Sequence, residues 1–99
     1  MTVPAEKLAA VEALFHEMAR RNVDAAKAGT RIMESHGGKP QIVKTSEVAG
    51  EMKRRSITLA PDEPLQEMAI LHSIAKRVLP KYRSEFTRWK NAKSRSIHP

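Results

Sequence analysis

The residues with the richest chemistry lie near the C-terminal end of the chain. Tyr82, Phe86 and Trp89 fall in one short stretch, and they are three of the four aromatic residues present. Lys81, Arg83, Arg88, Lys90, Lys93 and Arg95 are interleaved with them. At 100° per residue on a helix, the three rings lie within about 60° of one another. Lys81, Arg88 and Arg95 then flank the rings on one side, and Arg83 and Lys90 on the other. Rings so placed either fill a core or stack on nucleic-acid bases, and the core is the simpler reading. In both cases the basic flanks stay available to phosphates. Each phosphate they neutralise adds a salt-dependent increment to binding.

Catalytic and metal chemistry is harder to find. The segment His16-Glu17-Met18-Ala19-Arg20 begins like a zinc-protease helix, but Arg20 stands where the second histidine is needed. His16, His36, His72 and His98 have no ligand-like spacing, and no Ser-His-acid order stands out. Gly37-Gly38-Lys39 lacks the rest of a phosphate-binding loop and reads as a helix stop. With no cysteine, thiolate ligands, thiol nucleophiles and disulfides are all excluded. The expectation is a protein without catalytic residues, metal or cofactor, and not an enzyme.

The 99 residues suffice for one small domain, whose core is modest. Eighteen basic and eleven acidic residues give a net charge of +7, which favours a polyanionic partner. The charge is uneven: net 0 over residues 1–38, +3 over 39–60, −1 over 61–79 and +5 over 80–99. A balanced first segment points to packing, and a basic remainder to contact with a polyanion. No stretch approaches the roughly 18 apolar residues of a membrane span, and Met1 to Ala10 lacks the pattern of a secretory leader. Trp89 among basic residues has something of a membrane-surface helix, but Glu85 and the small apolar area argue against one. No membrane partner is expected, and the expected location is the cytoplasm of a bacterium or its phage.

The elements that must position these residues follow from periodicity. Pro4 to about Glu34 reads as a long helix preceded by Thr2 or Val3. Its seam is Leu8, Val11, Phe15, Met18, Asn22, Ala25, Gly29 and Ile32, with a Glu17–Arg21 pair on the surface. That seam is first of all the core side of a domain helix. It also suits a helical hairpin or a dimer whose register Asn22 sets. Residues 1–38 therefore form a packing or oligomerisation segment, and 39–60 a basic connector. Within the connector, Ser46 to Arg55 can form a short helix capped by Thr45 or Ser46. Arg54 to Leu59 alternates as a short strand or an extended linker would. Residues 61–99 form a C-terminal helical region. A helix capped by Asp62 runs to Leu79 on a stripe of Leu65, Met68, Leu71, Ile74, Ala75 and Val78. Pro80 breaks or kinks it, a third helix reaches about Lys93, and the tail from Ser94 is frayed.

Arg55-Ser56-Ile57-Thr58-Leu59-Ala60-Pro61-Asp62-Glu63 resembles the strand and helix start of ribbon-helix-helix DNA-binding proteins. Arg83-Ser84-Glu85-Phe86-Thr87-Arg88 is similar to the start of that family's second helix. The likeness covers residues 53–92. It departs from the family in a longer stretch between Pro61 and Ser84, in Pro80 at the turn, and in Tyr82 where a capping hydroxyl belongs. The resemblance implies an intertwined dimer whose two-stranded ribbon enters the major groove. It implies that Ile57 and Leu59 face the dimer core, that Arg54, Ser56 and Thr58 face base edges, and that the amides near Arg83 and Ser84 approach a phosphate.

The fold class expected is therefore mainly α: a long N-terminal helix, a short helix or strand, and two C-terminal helices. A ribbon-helix-helix dimer and a small all-α bundle both remain open. The function expected is nucleic-acid binding, with DNA favoured over RNA, by a homodimeric repressor or a plasmid or phage DNA accessory factor. Its site would comprise Arg54, Ser56 and Thr58 on bases, with Lys81, Arg83, Ser84, Arg88, Lys90 and Lys93 on phosphates. The alternative is a non-catalytic helical interaction module, an adaptor, inhibitor or ribonucleoprotein subunit, recruiting a protein partner through its first helix.

Overall fold

The computed structural model describes residues 3–97; Thr2 and His98 lie outside the described residues. The chain is mainly α-helical, with α1 (Ala5–Lys27), a hairpin of β1 (Ser35–His36) and β2 (Lys39–Pro40), α2 (Thr45–Arg54) and α3 (Pro64–Ile97).

Helix α1 starts after Pro4, whose carbonyl accepts from the amides of Lys7 and Leu8. It ends seven residues before Glu34, earlier than the seam predicts. The reason is Gly29, which adopts φ +80°. The Thr30 amide then donates to the Ala25 carbonyl at 2.9 Å and the Gly29 amide to Ala26 at 3.2 Å. This pairing closes a helix through a left-handed residue, a conformation glycine adopts without steric cost. The seam glycine is thus the stop, and Ile32 beyond it is 88% exposed. Glu17 bonds Arg55 of the α2 terminus instead of Arg21.

The Gly37-Gly38 pair makes a hairpin. Both residues have positive φ, 61° and 78°, and Ser35 pairs with Pro40 across the two-residue turn. A two-residue hairpin turn with both φ positive suits two glycines. Helix α2 starts after Lys44, one residue before the expected caps, and the Lys44 amide donates to the Glu47 carboxylate at 3.2 Å.

Residues 54–59 form no strand. Arg54 ends α2, and Ser56 takes φ 57° while the Ile57 amide donates to the Met52 carbonyl at 2.8 Å. The alternation in Arg54 to Leu59 therefore marks a helix stop followed by a passage that buries Leu59. The ribbon strand implied by the resemblance is absent among the described residues.

Helix α3 opens on Pro64, two residues after the expected cap, as suits a residue whose missing amide costs nothing in a first turn. Glu67, inside the helix, accepts the amides of Leu59 and Ala60 at 3.0 and 2.8 Å and so ties the incoming loop to the helix. The helix passes through Pro80 to Ile97 without the expected break, taking in Ser94 and Arg95. Pro80 is exposed, so the Lys76 carbonyl that loses its donor faces water rather than the core.

Helices α1 and α3 run parallel. Glu12 meets Arg77, His16 meets Tyr82 and Arg20 meets Glu85, so both sequences advance together. Helix α2 runs the other way, with Arg31–Glu47 near its start and Arg55–Glu17 at its end. The shared core holds Val11, Leu14, Phe15, Met18 and Val23 of α1, Ile42, Val48 and Met52 between, and Leu71, Ile74, Val78, Tyr82 and Phe86 of α3. Asn22 is the one buried polar side chain among the described residues, and its Nδ2 donates to the Ile42 carbonyl at 3.0 Å. It pins the connector to α1 inside this chain. Leu65 and Met68, expected in the α3 stripe, are exposed at the first turns of the helix. At ~1.5 Å per residue the 34 residues of α3 span about 51 Å, most of the 58 Å long axis of the molecule.

Candidate nucleic-acid interface

Helix α3 positions the basic residues, and the core decides which way they face. Tyr82 and Phe86 are 5% and 7% exposed, so two of the three rings are core and unavailable for stacking. Trp89 is half-buried, 5.6 Å from the Phe86 ring between centroids, with the Lys93 ammonium 5.2 Å from its own. The Tyr82 hydroxyl bonds His16 Nδ1 at 2.7 Å. Burying the rings turns Lys81, Ser84, Thr87, Arg88 and Lys90 to the surface.

After Glu67 the chain has eight basic residues and one acid, Glu85. Glu85 is turned towards α1. Arg20 holds both its oxygens at 2.7 Å, and the Lys27 ammonium bonds one of them at 2.8 Å. These donors, Arg20 first, lower the Glu85 carboxyl from its ordinary 4.5 to about 2, and Glu85 in turn raises the Arg20 guanidinium. The one carboxylate on this part of α3 is thus neutralised from within, and the outward face carries cations alone.

The hairpin extends this face. Gly38, Lys39 and Pro40 line an open groove with Lys81, Arg83, Ser84, Thr87 and Arg88. Arg83 is half-buried and its Nε donates to the Pro40 carbonyl at 3.4 Å, which joins hairpin to helix. An adjoining hollow brings His36, His72 and Lys76 beside Lys39 and Arg83. Lys39, Lys76 and Thr87 were not among the residues expected from sequence. The signal for Lys39 was present in the Gly37-Gly38 pair, which marks a hairpin as well as it marks a stop.

Of the expected residues, Lys81, Arg83, Ser84 and Arg88 come together in the groove, and Lys90 lies one turn on in a shallow hollow with Gly38 and Thr87. Arg54, Ser56 and Thr58 do not join them. They are exposed at the end of α2, where Arg54 pairs with Glu51 at 2.7 Å. That end is fastened by Glu67, about 30 Å along α3 from Arg88 at ~1.5 Å per residue. The side chains of the protease-like segment are committed elsewhere: His16 to Tyr82, Glu17 to Arg55 and Arg20 to Glu85. No helix among the described residues is long and apolar enough to cross a membrane. Comparison with family models, with curated proteins and with solved structures returns no match.

Proposed function

We propose that this is a small nucleic-acid-binding protein that holds a phosphate backbone on the outward face of α3. The observation that carries the reading is the inward neutralisation of Glu85 by Arg20 and Lys27. A basic face on an ordinary solvated helix is interspersed with acids, and this one is cleared of them over residues 76–95. Lys81, Arg83, Arg88 and Lys90 contact phosphates, with Lys39 of the hairpin beside them, whereas Lys93 lies over the Trp89 ring on the inner side of α3. Ser56 and Thr58 stand too far away to share the same contact. DNA is the favoured partner over RNA, in the setting of a cytoplasmic repressor or of a plasmid or phage accessory factor. The homodimer belongs to the same reading, with the exposed Leu65 and Met68 as its apolar contact.

The test is fluorescence anisotropy with mixed-sequence duplex DNA at several salt concentrations, on protein whose mass is fixed by light scattering. The proposal expects log affinity to fall linearly with log salt, and Arg88→Ala to flatten that slope by about 1. Negligible binding at low salt would overturn it. The second reading, a protein-interaction module, is favoured by Leu65 and Met68, which are 89% and 40% exposed on the first turns of α3. It expects weak binding to free DNA and a stoichiometric protein partner lost on Leu65→Asp.

A further inference from the structure

We infer that the second half of α3 enters the major groove of duplex DNA and reads base edges with Ser84, Thr87 and Asn91. The inference rests on the nucleic-acid reading and adds to it the class of ligand and the residues that discriminate sequence.

The outward face of α3 is built in three strips. Lys76, Arg83 and Lys90 recur every seven residues along one flank, and Lys81, Arg88 and Arg95 along the other. Seven residues advance a helix by about 10 Å with only ~20° of drift, so each set forms a row along the axis. The rows lie about 140° apart at 100° per residue. Between them run Ser84, Thr87 and Asn91, all exposed, short and uncharged. Helix α3 is continuous across this region, and residues 91–95 are exposed all round.

Side-chain length gives this arrangement its direction. With side chains a helix is about 10–12 Å across, and the major groove of B-DNA is about 12 Å wide. A helix seated there brings its short side chains to the base edges at the floor. Its long flanking cations reach the two phosphate strands on either side. Asparagine is the residue that bonds adenine through both N6 and N7, while serine and threonine hydroxyls bond either kind of edge. The deep, narrow major groove of A-form RNA does not admit a helix, so the same three strips select DNA. The hairpin is joined to the helix at Arg83 and shares hollows with Ser84, Thr87 and Asn91, so Lys39 stands beside the strip that faces the bases.

The experiment selects ligands from a randomised DNA duplex pool, with wild-type protein and with the triple variant Ser84→Ala, Thr87→Ala, Asn91→Ala. Circular dichroism confirms that the variant is folded, as exposed alanines on a helix should be. The wild type is expected to enrich a sequence motif. The variant is expected to hold an unselected duplex within about twofold of wild type and to lose about tenfold or more of the preference for the motif. An A-form RNA duplex of the same length is expected to bind no better than the unselected DNA. DNA binding with no motif, with the same motif in the variant, or with RNA preferred would overturn the groove-reading inference while leaving the phosphate-binding face intact. Binding to neither nucleic acid would overturn both.

Discussion

Arg20 of α1 grips both carboxylate oxygens of Glu85 in α3 at 2.7 Å, and this bidentate pair does two things at once. It fastens the parallel helices together, and it removes the single acid from the basic end of α3. Glu85→Gln keeps the shape and loses the charge. We predict that it lowers stability by about 1 kcal/mol, because the pair is half-exposed and exposed ion pairs are individually weak. Nonspecific DNA affinity should rise, since Arg20 and Lys27 are released. The pH dependence has a definite sign. Glu85 is lowered from 4.5 to about 2 on folding, so its stabilisation is complete above 4.5 and is lost as pH falls through about 2. Thermal unfolding between pH 7 and pH 2 should show this component in the wild type and lack it in the variant. An unchanged pH profile would remove Glu85 from the account.

Asn22 is the second internal fastening. Its side chain is 2% exposed and donates to the Ile42 carbonyl. Asn22→Ala leaves that carbonyl unsatisfied beside a small void, and we predict a loss of about 1–3 kcal/mol. Asn22→Asp should cost more at neutral pH, because an acceptor replaces the donor and a charge is buried. Urea unfolding of the three proteins checks the order. If Asn22 instead served a dimer interface, the alanine variant would change the mass by light scattering.

Ser56 ends α2 in the left-handed region at φ 57°. A residue with a Cβ pays about 1 kcal/mol there and glycine does not. Ser56→Gly should therefore stabilise the protein, raising the melting temperature by about 4–8 °C for each kcal/mol in a domain of this size. The same substitution should leave DNA binding unchanged, because Ser56 lies far from the α3 face. Weakened DNA binding in this variant would restore residues 54–58 to the site.

Much of this fold is written in local patterns. Val11, Phe15, Met18 and Asn22 are buried as their spacing implies, and Val48 and Met52 share the inner side of α2. The mainly α fold, with its long first helix, follows from such periodicities. What local patterns hide is tertiary. Gly29 sits at a seam position and yet stops the helix, because a seam needs a facing partner and a glycine can close the chain. Pro80 leaves α3 unbroken because Leu79, Tyr82 and Phe86, on either side of it, are anchored in the core. Ser56 shows that alternation over six residues describes a capped helix end as well as a strand. The candidate site was half legible: the cations of α3 were evident, but the neutralisation of Glu85 needed a residue 65 positions away.

The most direct test of the central claim compares two charge-reversal variants of equal net charge. One carries Lys81→Glu and Arg88→Glu on the outward face of α3. The other carries Lys7→Glu and Lys53→Glu, which are exposed on α1 and α2. Anisotropy titration with duplex DNA at fixed salt is the measurement. The account predicts that the α3 variant loses about a hundredfold or more in affinity while the control stays within a few-fold of wild type, because close phosphate contacts outweigh net charge. Equal losses in the two variants would contradict it, since binding would then follow overall charge and not this face.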